Sequence, residues 1–484
     1  MIEALRGLGY TTAGALADVV DNSISAGASK VDISFVWDGE ASKITVLDDG
    51  CGMDDGELER AMRLGERSPL DQRSADDLGR FGMGLKTASF SQCRRLTVAS
   101  KKANTIQCLR WDLDAIAAAG DGAWRLLEGA AQGSERFLEG LHSNSSGTLV
   151  LWEVLDRIVV PAFMEQDFLD MMDRIESHLA MVFHRFLEVS RNQLRLTING
   201  RDVVPWDPFL SWHSATWSSP IDKLTLDSGA IEVQCHVLPH KDRLTEKEYN
   251  SAAGPEGWTV QQGFYVYRNR RLLLAGNWLG LGPTRRWTKE EAHRLARIRL
   301  DISNTADSAW AIDIRKSTAR PPMTVRKKLT HLGEDTRNRA RKVFAHRGQM
   351  VPVAGGPVIR AWRAEHSKDG MRYRIEKDHP AVKAVFELAG SLTPQIKAML
   401  RILEETIPVQ RIWLDTAESK ETPRTRFAGT ARAEVAAVLE VMYRNLTSRR
   451  GMSSALAREH LMRTEPFNEY VDLVRALDGG PNDK

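Results

Sequence analysis

Leu16, Val19, Val20 and Ile24 recur at three- and four-residue steps, which predicts a helix from Ala15 to Ser29 with one buried stripe and a stop at Gly27. The pattern then switches to alternation. Val31 to Trp37 and Lys43 to Leu47 predict two strands joined at Asp38-Gly39, and Arg95 to Ser100 and Gly147 to Glu153 predict two more. Helical spacing returns at Phe168, Met172, Ile175, Leu179 and Phe183, before strand-like runs at Leu194 to Asn199 and Ile231 to Val237. Gly263 to Leu274 predicts a strand broken at Arg268-Asn269-Arg270-Arg271, a turn that is either solvated or meets an anion. Lys289 to Arg299 predicts a basic helix carrying Arg294, Arg297 and Arg299, and Trp310 to Ile314 a strand. After Pro321-Pro322 a long basic helix is expected up to Arg347, through Arg337, Arg339, Arg341 and Lys342. Gly348 to Pro357 reads as a linker. Ala381 to Leu388, Pro394 to Thr406 and Ala431 to Leu446 read as amphipathic helices of an α-rich region. The mixture predicts an α+β fold.

At 484 residues the chain exceeds what one core supports and has room for two to four domains; the division expected is 1–155, 156–325 and 326–484. The net charge of +3 is unevenly spread: residues 282–347 carry 17 Lys plus Arg against 7 Asp plus Glu, so the remainder is net negative. That excess makes residues 285–347 a candidate anion-facing region, and the long basic helix fits a DNA contact and a solvated surface equally well. No apolar run is long enough for a membrane span, and the expectation is a cytoplasmic protein without membrane contact. Cys51, Cys93, Cys108 and Cys235 are scattered, against a zinc site or a disulfide framework. His236 and His240 are four apart, but Pro239 between them prevents a helical ligand pair.

Three stretches carry candidate chemistry. Asp18 and Asn22 lie four residues apart on one helical face, where a carboxylate and a carboxamide can hold a hard cation and orient a water; a surface helix that merely carries both is the alternative. The second strand runs into Asp48-Asp49-Gly50-Cys51-Gly52-Met53. The acid can accept from an exocyclic amine, and the glycines let a flat ring approach the backbone; a plain strand-to-helix loop is the alternative. Residues 65–78 are polar and aperiodic, and they abut Gly79-Arg80-Phe81-Gly82-Met83-Gly84-Leu85-Lys86. Three glycines opening a helix suit a phosphate nest, with Lys86 as an added point charge.

Together these stretches resemble the ATP-binding domain of the GHKL superfamily: gyrase-type topoisomerases, ninety-kilodalton heat-shock chaperones, histidine kinases and MutL. The wording VDNSISAGA, DDGCGM and GRFGMGLKTASFSQCRRLTVAS is most similar to MORC-type ATPases and their prokaryotic relatives. The resemblance implies an ATP-binding α/β sandwich, a βαβ transducer-like domain after it, and ATP and Mg²⁺ as cofactors. It implies that Asn22 binds Mg²⁺, Asp48 reads the adenine amino group, and Gly50 and Gly52 line the ring, with Met53 closing that cofactor-binding motif. Gly79, Gly82 and Gly84 would form the hinge of an ATP lid spanning residues 65–78, beside Lys86. Thr148 would share a water with the adenine-reading aspartate, and Lys316 would reach the γ-phosphate from the transducer. One departure falls on the catalytic base: Asp18 stands where the family usually has glutamate. Its carboxylate falls roughly 1.5 Å short, and ~1 Å misplacements can cost about 10²-fold. The implied activity is therefore slow, Mg²⁺-dependent ATP hydrolysis by a clamp that homodimerises on ATP and is linked to DNA. By analogy, its partner proteins would belong to a restriction or antiphage defence system. The rival readings are a chaperone-like ATPase acting on protein clients and a nucleotide-gated scaffold that does not hydrolyse. A histidine kinase is disfavoured because the ATPase motifs begin near residue 15.

Overall fold

The computed structural model describes residues 6–7, 9–63, 84–119, 125–188, 193–226, 229–303, 310, 319–345, 359–367, 370–412 and 431–477. They fall into two compact units, Met1–Gly348 and Gln349–Lys484.

The first unit begins with helix α1 (Thr12–Ser25), whose N-terminus is capped by the Thr11 hydroxyl accepting from the Gly14 N–H at 3.1 Å. It starts three residues before the predicted Ala15, because Thr11 rather than the apolar stripe sets the boundary. Leu16, Val19 and Val20 are buried as their spacing requires. The expected hairpin follows as β1 (Lys30–Val36) and β2 (Lys43–Asp48), paired from Val31↔Asp48 to Val36↔Lys43. Further along come α2 (Asp55–Met62), α3 (Gly84–Phe90), β3 (Arg95–Lys102), β4 (Thr105–Asp112), β5 (Leu127–Glu128), β6 (Gly147–Glu153), α4 (Glu165–Val182), β7 (Arg195–Ile198) and β8 (Arg201–Asp202).

The eight strands form one sheet in the order β5-β4-β3-β6-β2-β1-β7-β8. Its core joins Leu16 and Val20 of α1 to Ile33, Val46, Val98 and Trp152 of the strands, and to Phe168 and Leu179 of α4. β7 pairs parallel to β1, so the first sheet continues past residue 155, where the expected boundary lay, to Asp202.

The second sheet of this unit contains β9 (Trp217–Ser218), β10 (Asp222–Leu226), β11 (Gly229–Val237), β12 (Gly263–Arg268), β13 (Arg271–Asn277) and β14 (Ala296–Ile302). Its order is β10-β11-β14-β12-β13, with β9 on β11. The predicted basic helix over 289–299 is here a 3₁₀ turn at Glu291–His293 followed by β14. Ile298, Leu300 and Ile302 alternate into the core, and this period of two outweighs the arginines between them. The long basic helix is present as α5 (Met323–Ala345) and packs on β11 and β14. Residues 311–318 and 346–358 lie outside the described residues, and with them the predicted strand to Ile314, Lys316 and the Gly348–Pro357 linker.

The second unit holds the hairpin β15 (Trp362–Ser367) and β16 (Gly370–Ile375), which the sequence pattern did not suggest. It also holds α6 (Pro380–Ala389), α7 (Thr393–Glu405), α8 (Ala431–Arg444) and α9 (Ser454–Met462). Its core is built on Val435, Leu439, Leu446, Leu461 and Phe467.

Candidate functional site

The end of β2 is drawn into a dense polar knot. Asp48 is buried, and its Oδ2 accepts from the Ser23 hydroxyl of α1 at 2.7 Å. Its Oδ1 accepts from the Gly50 and Thr148 N–H groups, both at 3.0 Å. Burial pushes the Asp48 carboxyl above its ordinary pKa, and these hydrogen bonds only partly oppose it. A second relay runs beside it. The Ser100 hydroxyl lies 2.9 Å from the Thr148 hydroxyl, donates to Gly147 O at 3.0 Å and accepts from the Met53 N–H at 2.8 Å. Helix α1, the β2 end and the start of β6 are thereby fixed relative to one another.

The glycines here are required by space. A Cβ at Gly52, where φ is +66°, would sit 2.0 Å from Lys101 O, and one at Gly147 would sit 2.1 Å from Asp48 O. Both contacts are with backbone and cannot yield. A Cβ at Gly50 would meet the Ala26 side chain at 2.8 Å. The predicted motif glycines thus allow the backbone crossing that presents Asp48.

On α1, Asn22 is exposed and Asp18 buried. The Tyr10 hydroxyl donates to Asp18 Oδ2 at 3.0 Å, and an Arg271 guanidinium nitrogen lies 3.8 Å from Oδ1. A Cβ at Gly84, the first residue of α3, would stand 3.9 Å from Asp18 Oδ2, so the helix following the glycine motif abuts the acid. Asp18, Asn22, Asp48, Gly50, Gly52, Met53, Gly84 and Thr148 therefore belong to one connected wall built from α1, the β2 end, α3 and β6. Gly79, Gly82 and the lid stretch 65–78 lie outside the described residues, as does Lys316.

Lys86, expected as a point charge for a phosphate, is buried and turned elsewhere. Its ammonium donates to Ala61 O at 2.9 Å and to Arg63 O, at the C-terminal end of α2. Unsatisfied carbonyls at a helix end attract a cation, which accounts for the placement. The expected arginine turn joins β12 to β13 through Asn269-Arg270. Arg268 and Arg271 are buried, and the Arg270 guanidinium carbon stands 4.9 Å from the Phe186 ring centre. The anion met by this turn is internal: Arg271 Nε donates to both Asp21 carboxylate oxygens at 3.0 Å. On α5, Arg337 is buried, with its guanidinium 4.7 and 5.1 Å from the Trp278 and Trp287 ring centres. Arg339 is exposed and lies over Trp217 at 4.0 Å.

Sequence reasoning did not single out Tyr10, Asp21, Ser23 or Ser100. Ser23 adjoins Asn22 and was open to a reading by helical spacing, one turn after Val19. Asp21 and Arg271 are 250 residues apart, and no local pattern joins them.

Residues 10–148 match the profile of the histidine kinase-, DNA gyrase B-, and HSP90-like ATPase family. The DNA mismatch repair protein MutL of Rhodospirillum rubrum is 37% identical over 123 residues, 25% of this chain and 17% of that protein. MORC family CW-type zinc finger protein 1 of Homo sapiens is 34% identical over 100 residues, 20% of this chain and 10% of that protein. Human ATPase MORC2 is 32% identical over 100 residues, again 20% and 10%. The similarity thus spans under a fifth of each relative's length.

Proposed function

With residues 10–148 a GHKL-superfamily ATPase domain close to those of MORC proteins, we propose that this chain binds ATP with Mg²⁺ and hydrolyses it slowly as a dimerising clamp. The observation that carries the reading is the Asp48 cradle. A buried carboxylate, tied to three donors and bounded by glycines whose Cβ atoms have no room, is a costly feature that an ordinary loop does not need. It suits the donor–acceptor edge of adenine: the carboxylate accepts from the 6-amino group, and the Thr148 hydroxyl stands ready to hold a bridging water. The exposed carboxamide of Asn22, one helical turn from Asp18, supplies an oxygen ligand for Mg²⁺. The metal, when bound, would neutralise phosphate charge. Asp18 would orient and deprotonate the attacking water, with Tyr10 steering one carboxylate oxygen. Lys316, from the stretch after Trp310, is proposed as the cation that senses the γ-phosphate, and Gly79 and Gly82 as the lid hinge.

The proposed wider role is a nucleotide-gated clamp on DNA, in keeping with similarity to a protein named for DNA mismatch repair, with restriction or antiphage defence as the setting. Exposed Arg285, Arg286, Lys327, Lys328, Arg341 and Lys342 are the phosphate-facing candidates. No described helix is long and apolar enough to cross a membrane. A non-hydrolysing scaffold is the second reading, favoured by the short Asp18 side chain and by its engagement with Tyr10. ATP turnover and oligomeric state measured with and without duplex DNA separate the readings. The clamp predicts ATP-dependent dimers and DNA-responsive phosphate release. Nucleotide-dependent dimers without phosphate release would favour the scaffold, and a nucleotide-indifferent monomer would refute both.

A further inference from the structure

The β12–β13 hairpin delivers Arg271 from the second sheet onto helix α1 of the first. The side chain is 5% exposed, Asp21 is 2% exposed and Asp18 is 9% exposed, so the three form a buried cluster of one cation and two acids. Arg271 Nε donates to both Asp21 oxygens at 3.0 Å, NH1 donates to Leu272 O at 2.8 Å, and NH2 approaches Asp18 Oδ1 at 3.8 Å. The Phe183 ring centre stands 5.9 Å from the guanidinium carbon. His178, on α4, feels the same cation: burial and then Arg271 push its pKa down to about 4, so it adds no second positive charge at neutral pH. A guanidinium is planar and carries its donors in a fixed fork, so anchoring one edge on Asp21 fixes where the other edge points. That other edge faces Asp18.

We propose that Arg271 is a positioning residue for Asp18: it locks the β12–β13 hairpin to α1 through Asp21 and sets the Asp18 carboxylate, so that ATP turnover, but not ATP binding, depends on docking of the second sheet. The inference rests on the reading of Asp18 as the base that activates water. Ser23 lies two residues beyond Asp21, but its hydroxyl turns to Asp48, and the adenine cradle keeps its own hydrogen bonds from Ser23, Gly50 and Thr148. Nucleotide affinity therefore has no direct need of Arg271. The carboxylate that Arg271 faces is the group for which a displacement of ~1 Å matters most, at about 10²-fold in rate.

The experiment uses the full chain and three variants: Arg271→Gln, Arg271→Lys and Asp21→Asn. ATP kcat, the Kd of a non-hydrolysable ATP analogue and the melting temperature are measured for each. In Arg271→Gln and Asp21→Asn, kcat is expected to fall 10- to 100-fold while the analogue Kd stays within about 3-fold. Arg271→Lys, which keeps the charge but loses the fork, should recover part of kcat. Unchanged kcat in Arg271→Gln and Asp21→Asn overturns the proposal. Parallel loss of kcat and affinity, with no recovery in Arg271→Lys, overturns it in favour of a purely structural ion pair. If the wild-type chain binds the analogue but releases no phosphate, the assignment of Asp18 as base fails first and takes this role with it. If the wild type turns over and only the variants behave otherwise than expected, the role of Arg271 alone is lost.

Discussion

Asp48→Asn changes one oxygen to an amide nitrogen and leaves the outline of the side chain intact. Because Oδ1 accepts from the Gly50 and Thr148 N–H groups, the amide must keep its oxygen there and place its NH₂ at the former Oδ2. The Ser23 hydroxyl can then turn from donor to acceptor, with Val19 O at 3.5 Å to receive its proton. Every internal hydrogen bond survives. Burial holds the Asp48 carboxyl above its ordinary pKa in spite of those bonds, so removing the charge removes a net penalty, and the melting temperature should be no lower than wild type. The adenine 6-amino group fares differently, since it would face an N–H donor instead of a carboxylate. Losing a charge-assisted hydrogen bond costs about 1.5–3 kcal/mol, and leaving a buried donor unmet costs about 1–3 kcal/mol more. Even the lower ends together weaken ATP binding on the order of 10²-fold. Calorimetric titration and a thermal melt read the two effects separately. ATP affinity within a factor of three of wild type would refute the placement of adenine on Asp48. A collapse of the melting temperature would refute the energetics.

Four further outcomes are expected. Asp18→Glu restores the missing methylene and should raise ATP turnover about 10-fold or more at unchanged nucleotide affinity; equal or slower phosphate release would count against Asp18 as base. His178 remains neutral in the folded chain down to about pH 4, whereas the unfolded chain takes up its proton near 6.5. Stability present above pH 6.5 should therefore drain away as the pH falls toward 4, by on the order of 1–3 kcal/mol, and His178→Gln should flatten that part of the melting-temperature profile. Lys327→Glu with Lys328→Glu should weaken DNA binding and lower the salt slope by about one unit per lost cation, at unchanged stability. Arg337→Ala, by contrast, should lower the melting temperature by several degrees, because Arg337 packs against Trp278 and Trp287; a wild-type melt would count against that packing.

The parts of the fold governed by local periodicity were legible in the sequence. β6 spans Gly147–Glu153 as read, and α1 and the β1–β2 hairpin lie within a few residues of their expected bounds. The motif glycines were legible for a physical reason: where a Cβ would come within about 2 Å of another backbone oxygen, few other residues can stand. Charge was the misleading signal. Arginines at 294, 297 and 299 suggested a basic surface helix, yet Arg297 is fully buried within β14, and the alternation of Ile298, Leu300 and Ile302 was the better guide. Lys86 and Arg337 likewise looked like anion-binding cations, but long side chains can turn inward to carbonyls or rings, and sequence does not record the direction. The Asp21–Arg271 pair was invisible because it depends on how two sheets meet, not on either stretch alone.

The central claim is that Asp48, held by Ser23, Gly50 and Thr148, reads adenine at the head of an ATP–Mg²⁺ site. Titrating the full chain with a non-hydrolysable ATP analogue and with its guanine counterpart, in Mg²⁺ and then in EDTA, tests it most directly. The 6-keto oxygen of guanine would present an acceptor to the carboxylate, so selectivity should be large. The expected result is one ATP analogue bound per chain in Mg²⁺, on the order of 10²-fold tighter than the guanine analogue and weakened by EDTA. No binding, or equal affinity for the two bases, would contradict it.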